Sequence, residues 1–334
     1  MGADGKPLYP DESEVDREIS EWQNNSPFYV PPPDGEKHRH IVDALIKERA
    51  PKLSTSFFWP VIRFALYLIG YNKGINLVNT AGRMNATDAF AHASRKMGVE
   101  LKATGKQHIP KEGGCILVLN HPTGIADGLA AHDLVLQIRP DPIVFVNGDA
   151  IRLNPMLREK LIPVEWQDDK KNRAKSRETL KASNKAFADG RAVILFPSGR
   201  LAYPDENKEL RERPWMSSVA VLAKKYNVCV VPVHLRSKNS WLFYLLWKFN
   251  EELRDMTVFH EWFNKQGKTF AFTVQAPIQP DELLEDNDEA ANELREYVED
   301  GIEKGLTFKA WRETKSQCGY NLCRESVPQR SNAV

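Results

Sequence analysis

In the stretch Leu117 to Leu136, "LVLNHPTGIADGLAAHDLVL", His121 and Asp127 stand six positions apart. A neutral imidazole can take a proton from an attacking hydroxyl, provided a hydrogen bond holds its other ring nitrogen. A carboxylate a few residues further on supplies that hold at short range. The two would then form a relay in which the substrate's own hydroxyl replaces a protein serine. Plainer uses exist for both residues. Asp127 suits the N-cap of a helix "GLAAHDLVLQI", and His121 suits a turn in which the imidazole bonds a nearby carbonyl. Spacing alone leaves these readings open.

The elements around the pair narrow the choice. An apolar run, Gly114 to Leu119, reads as a strand, Asn120-His121-Pro122 as the exit from it, and the periodic segment after Asp127 as a helix. Such junctions lie at the carboxyl edge of a sheet, where open α/β folds place ligands. From Gly98 onward the same alternation recurs, with strand-like runs "VELKATG", "CILVLN", "PIVFVN", "AVILFP", "VCVVPV" and "TFAFTVQ" separated by helical or loop connectors. The expected fold class is α/β, a mostly parallel central sheet flanked by helices. The expected domain plan has a polar N-terminal extension over 1–50 that wraps the surface or stays loose. A helical region follows over 51–98, with breaks at Gly70, Gly74 and Gly82. The α/β domain covers 99–280, and an acidic helix and a tail disordered over its last twenty residues complete 281–334.

Composition sets outer limits. The chain has 334 residues, enough for a full α/β core, and its net charge of +1 means that any attraction to acidic partners must be local. One such place is the connector Asp168 to Gly190, with Lys170, Lys171, Arg173, Lys175, Arg177, Lys181 and Lys185: a solvated helix face, or a docking surface for an acidic or phosphate-rich partner. Cys115 and Cys229 sit in apolar runs as small hydrophobes, while Cys318 and Cys323 lack zinc-knuckle spacing. The expectation is a reduced, cytosolic chain without a bound metal. His121, Asp127, His132 and Asp133 do include metal-type donors, which motivates a metal-dependent hydrolase as an alternative, but His132 falls inside the proposed helix and points elsewhere. The first twenty residues lack the apolar core of a signal peptide, and Lys6 argues against myristoylation at Gly2. The segment "FFWPVIRFALYLIG", Phe57 to Gly70, is shorter than the roughly 20 apolar residues of a membrane span. It suits either the membrane interface or a core helix. In "WLFYLLWKF", residues Leu242, Leu245, Leu246 and Phe249 make a helical stripe read as core. No nucleic-acid-binding pattern is present.

Four ordered blocks add a family likeness: "NHPTGIADG" (Asn120 to Gly128), "VNGDAIRLNPMLREKLIPVE" (Val146 to Glu165), "LFPSGRLAYP" (Leu195 to Pro204) and "VVPVHL" (Val230 to Leu235). Over residues 75–280 the chain resembles the PlsC-like glycerolipid and lysophospholipid acyltransferases, most of all the branch with an NHPxGxxDG box that includes ornithine-lipid acyltransferases and hemolysin-like proteins. The resemblance implies acyl transfer from a thioester, acyl carrier protein or coenzyme A, to a hydroxyl of a lysophospholipid or lyso-aminolipid. It assigns His121 as general base and Asp127 as the group that fixes its tautomer. Substrate-binding positions would be Asn120, Gly124, Arg158, Ser198, Gly199 and Arg200, with Arg152 as a further basic position. The only co-substrate is the thioester, no cofactor is implied, and the acyl chain calls for work at the cytosolic face of a bilayer. The third block departs from the family: Ser198 stands where many members have Glu, and Arg200-Leu201 where they have Thr-Arg. This weakens the case for glycerol 3-phosphate or lysophosphatidate as acceptor, and motivates a second alternative, a non-catalytic lipid- or acyl-binding protein on the same fold.

Overall fold

The computed structural model describes residues 12–30, 40–165 and 170–325. The Pro-rich "PPPDGEKHR" stretch, the first eleven residues and the last nine lie outside the described residues, as do the side chains of Cys318 and Cys323.

Helices α1 (Glu12–Asn25), α2 (Ile41–Arg49), α3 (Pro51–Ser54), α4 (Trp59–Leu68), α5 (Tyr71–Ala81) and α6 (Ala86–Met97) precede the sheet. Gly70, with φ of 116°, separates α4 from α5, and Gly82 ends α5. Gly74 does not break a helix. It sits within α5 where a Cβ would lie 2.6 Å from the Phe259 ring, so its smallness serves close packing.

Next come β1 (Glu100–Thr104), β2 (Cys115–Leu119), α7 (Ile125–Leu136), β3 (Pro142–Asn147), α8 (Asp149–Leu153), β4 (Leu161–Val164), α9 (Arg173–Ala188) and β5 (Ala192–Leu195). A two-residue hairpin follows, β6 (Tyr203–Pro204) with β7 (Leu210–Arg211), then α10 (Ser218–Tyr226) and β8 (Cys229–Arg236). The chain continues through α11 (Trp241–Phe249), α12 (Glu251–Asp255), α13 (Val258–Phe263), β9 (Thr269–Val274), α14 (Asn287–Glu296) and α15 (Phe308–Glu325). Seven strands form one sheet in the order β1-β9-β8-β2-β5-β3-β4. Every neighbouring pair is parallel except β8 with β9. Strand β4 escapes a pattern search because it has four residues, includes Pro163 and lies at the sheet edge, where a missing N–H is tolerated.

The side-chain period of two divides β2 between two cores. Cys115, Leu117 and Leu119 face a cluster with α6 and α7, while Ile116 and Val118 face one with α9, α10 and α14. With both faces covered, all five residues are buried, which explains an unbroken apolar run in place of alternation. A third cluster, including Val42, Ile46, Leu66, Val78 and Met256, joins the N-terminal helices to the segment after α11. At the other end, α15 continues to Glu325 where the sequence suggests looseness; its first turns carry Phe308 and Trp311, whose rings pack on Tyr297.

Strands β2, β5, β3 and β8 are parallel through their pairings, so their carboxyl ends share one edge. The first, second and third sequence blocks leave the sheet there.

Candidate active site

His121 is the second residue after β2. Its Nδ1 lies 3.0 Å from Oδ2 of Asp127 in the first turn of α7. Asp127 is wholly buried, and its carboxylate is occupied by donors: the Thr123 N–H at 2.7 Å and the Gly124 N–H at 2.9 Å reach Oδ2, and the Thr123 hydroxyl donates to Oδ1. An ionised carboxylate only accepts, so the proton shared with His121 belongs on Nδ1 and the Nε2 lone pair is left for the cavity. Capping the helix and holding the imidazole are therefore compatible in Asp127. It caps the start of α7 from the third helical position by taking the Gly124 N–H, and the same oxygen holds the imidazole.

The turn that brings them together is glycine-dependent. Gly124 has φ of 94°, and a Cβ there would meet Leu201 at 3.3 Å in a backbone conformation L-residues rarely adopt. The imidazole also packs on Phe196, ring centroids 4.4 Å apart, which limits its rotation. The third block closes over it. Gly199 turns the chain with φ of 61°, the Ser198 hydroxyl donates to the Arg200 carbonyl at 2.8 Å, and the Ala202 N–H donates to the His121 carbonyl at 2.9 Å.

His121, Gly124, Gly199 and Arg200 line a cavity of about 460 Å³ whose walls are mostly apolar. It runs beneath the N-terminal helices, between Leu45 of α2, Val78 of α5, Phe90 and Ala93 of α6 and Leu129 of α7. A side pocket of about 80 Å³ shares Arg49, Ile125, Leu201 and Trp262 with it and adds Arg254.

Not every expected residue reaches this place. Asn120 donates from Nδ2 to the Leu235 carbonyl at 2.9 Å and accepts the Leu235 N–H at 2.7 Å, a two-point tie to β8 that consumes its amide. Arg158 is half exposed and pairs with Glu18 of α1 at 3.1 Å, and Arg152 pairs with Glu48 of α2 at 2.8 Å. Neither lines the cavity; both fasten N-terminal helices to the second block. His132 is buried beside Phe90 with Nδ1 toward Asp133, and burial lowers its pKa. Among the described residues no group of three or more His, Cys, Asp or Glu could hold a metal ion. Burial pushes the Cys115 thiol up to about 12, so it is a hydrophobe and no nucleophile.

Pattern reading passed over Thr123, Phe196, Arg49 and Glu212. Thr123 was visible inside the first block and Phe196 inside the third; Arg49 and Glu212 come from outside the four blocks and carry no local signal. Glu212 accepts the His121 N–H at 2.7 Å from a buried position.

Fold and site define an α/β domain with a histidine–carboxylate pair at the mouth of an apolar cavity. Residues 100–236 match the model of the Acyltransferase family. It is 27% identical over 188 residues to a protein of Phocaeicola vulgatus, covering 54% of this chain and 64% of that one. It is 23% identical over 271 residues to a protein of Bacteroides thetaiotaomicron, covering 79% and 96%. Each is named lyso-glycine lipid O-acyltransferase. The crystal structure of the 1-acyl-sn-glycerophosphate acyltransferase PlsC from Thermotoga maritima covers 80% of this chain and 94% of its own, at 17% identity and a TM-score of 0.39.

Proposed function

We propose that this protein is an O-acyltransferase that moves a fatty acyl group from a thioester to the hydroxyl of a lyso-lipid, with a lyso-aminolipid of the glycine-lipid kind as acceptor. One observation carries the reading: the Nδ1 of His121 is held by a saturated carboxylate while the ring opens on a cavity of acyl-chain character. In this scheme Nε2 takes the acceptor's proton as its oxygen attacks the thioester carbonyl. The C–S bond then breaks, and the thiolate leaves with the proton from the imidazolium. Asp127 stays ionised and steadies the positive ring. The donor is acyl carrier protein or acyl-coenzyme A. The exposed residues Arg173, Arg177 and Lys181 of α9 offer positive charge to either.

The test is direct. Purified protein is given acyl-carrier-protein and coenzyme A thioesters with lyso-glycine lipid or lysophosphatidate, and product is read by mass spectrometry. Transfer to the lyso-glycine lipid is expected. Failure with every donor, alongside retained acyl-chain binding, would favour a binding protein.

The cavity makes a second prediction. Ala93→Phe adds a ring to its wall and is expected to shift the product toward shorter chains when donors of mixed length compete. An unchanged length distribution would place the acyl chain elsewhere.

Access to such substrates calls for a lipid surface, and no described helix is long and apolar enough to cross a membrane. On α4 and the turn before it, Phe57 is 93% exposed, with Phe58, Val61, Phe64 and Leu68 also outward. On α11, Trp241 and Phe249 are 75% and 76% exposed and Phe243 is the buried residue, so the stripe read as core is turned partly outward. The two helices are linked through α3 and α12, where Glu252 accepts the Leu53 N–H at 2.9 Å. We take these aromatics as the bilayer-facing surface. The double variant Phe57→Ser with Phe64→Ser is expected to lose about tenfold or more in vesicle partitioning. Equal co-sedimentation with wild type would rule out this face.

A further inference from the structure

Glu212 is a buried carboxylate that the scheme above does not use. It is 3% exposed, follows the β6–β7 hairpin and lines neither cavity. Its Oε1 accepts the His121 backbone N–H at 2.7 Å, and its Oε2 accepts the Trp215 indole N–H at 3.2 Å. Ser198, where the third block lacks an acid, lies beside it. Glu212 is itself fixed from behind. Its own N–H donates to Glu299 Oε1 at 2.6 Å, and Arg295 holds the other oxygen of Glu299 at 2.6 Å. Burial pushes the Glu212 carboxyl up, and the hydrogen bonds it receives oppose that.

The backbone of His121 is thus gripped on both sides, at N–H by Glu212 and at C=O by Ala202. The side chain is gripped independently by Asp127 and Phe196. A ring anchored by one hydrogen bond and one stacking contact can still travel with its backbone. The reaction needs Nε2 within hydrogen-bond reach of the acceptor hydroxyl, and a displacement of roughly 1 Å can cost about 100-fold in rate.

We propose that Glu212 is a positioning residue: it clamps the His121 backbone and so sets where the base stands. The catalytic arm rests on the acyltransferase reading; the structural arm does not. Glu212→Ala removes the acceptor and leaves the His121 N–H without its partner, while Glu212→Gln retains an oxygen for it. The expected result is a drop in kcat of about 30- to 100-fold in E212A with KM for both substrates within twofold, and rescue in E212Q to within about tenfold of wild type. Independently, hydrogen exchange at the His121 amide should speed up in E212A and stay slow in E212Q. Should E212A not fold, Glu212→Asp withdraws the oxygen by one methylene and takes its place.

The clamp is overturned if amide exchange is the same in all variants. It is also overturned if kcat is unchanged while KM rises, which would mark a substrate contact, or if E212Q and E212A fall equally. If wild type transfers no acyl group but the His121 amide responds as described, the clamp stands and the acyltransferase reading fails.

Discussion

His121→Ala is expected to lower acyl transfer by about 10²- to 10⁴-fold while leaving the fold intact. The two parts of this expectation have separate causes. The imidazole stands between the held carboxylate and the cavity as proton acceptor in this scheme, so its removal leaves the acceptor hydroxyl protonated at neutral pH. The cost to the fold is small because Asp127 keeps three donors after the ring is gone, from the Thr123 N–H and hydroxyl and the Gly124 N–H. The carboxylate is not orphaned, so the loss should stay near or below about 1 kcal/mol. Single-turnover rates and thermal melts of the two proteins check both halves. Residual activity near wild type would remove His121 from the mechanism, and a collapsed fold would show that the ring is structural.

Asp127→Asn should reverse that balance and affect rate and stability together. The amide keeps the shape but places an NH₂ group where one carboxylate oxygen accepted a donor. If its oxygen faces the Thr123 and Gly124 N–H groups, its nitrogen meets the Thr123 hydroxyl. If it is turned over, its nitrogen opposes the His121 Nδ1–H and two backbone donors. The second orientation favours the wrong tautomer, with a proton on Nε2 and no base facing the cavity. A fall of about 10²- to 10⁴-fold in kcat is expected. Because the site is wholly buried, a stability loss of about 2–3 kcal/mol should accompany it. The contrast between the variants is the informative result: H121A dead and stable, D127N impaired and less stable. A D127N protein with wild-type kcat would show that the carboxylate only caps α7.

The sequence resolved what is local. His121, Thr123, Gly124 and Asp127 lie within one strand exit and one helical turn, so residue type and spacing nearly suffice to bring them into contact. The buried strands were legible because a sheet covered on both faces needs uninterrupted apolar residues, as β2 has. Arg158 and Arg152 show where this reasoning fails. Their types suit an anion, but an arginine takes whichever carboxylate is nearest, and Glu18 and Glu48 on the N-terminal helices reach them first. The stripe on α11 failed differently. Periodicity shows that one face of a helix is apolar and says nothing about what covers it, and Phe249 stays 76% exposed among the described residues.

By itself, then, the sequence determined the class of fold, the strand that ends at the site and the nearness of His121 to Asp127, because each depends on residues close in the chain. Only the tertiary structure decided that Glu212, ninety-one residues from His121, holds its backbone, that Asn120 ties β2 to β8, and that Arg200 and Gly199 share a cavity wall with the imidazole. These contacts arise because parallel strands collect the ends of distant segments at one edge, and that arrangement has no signature in any single stretch of sequence.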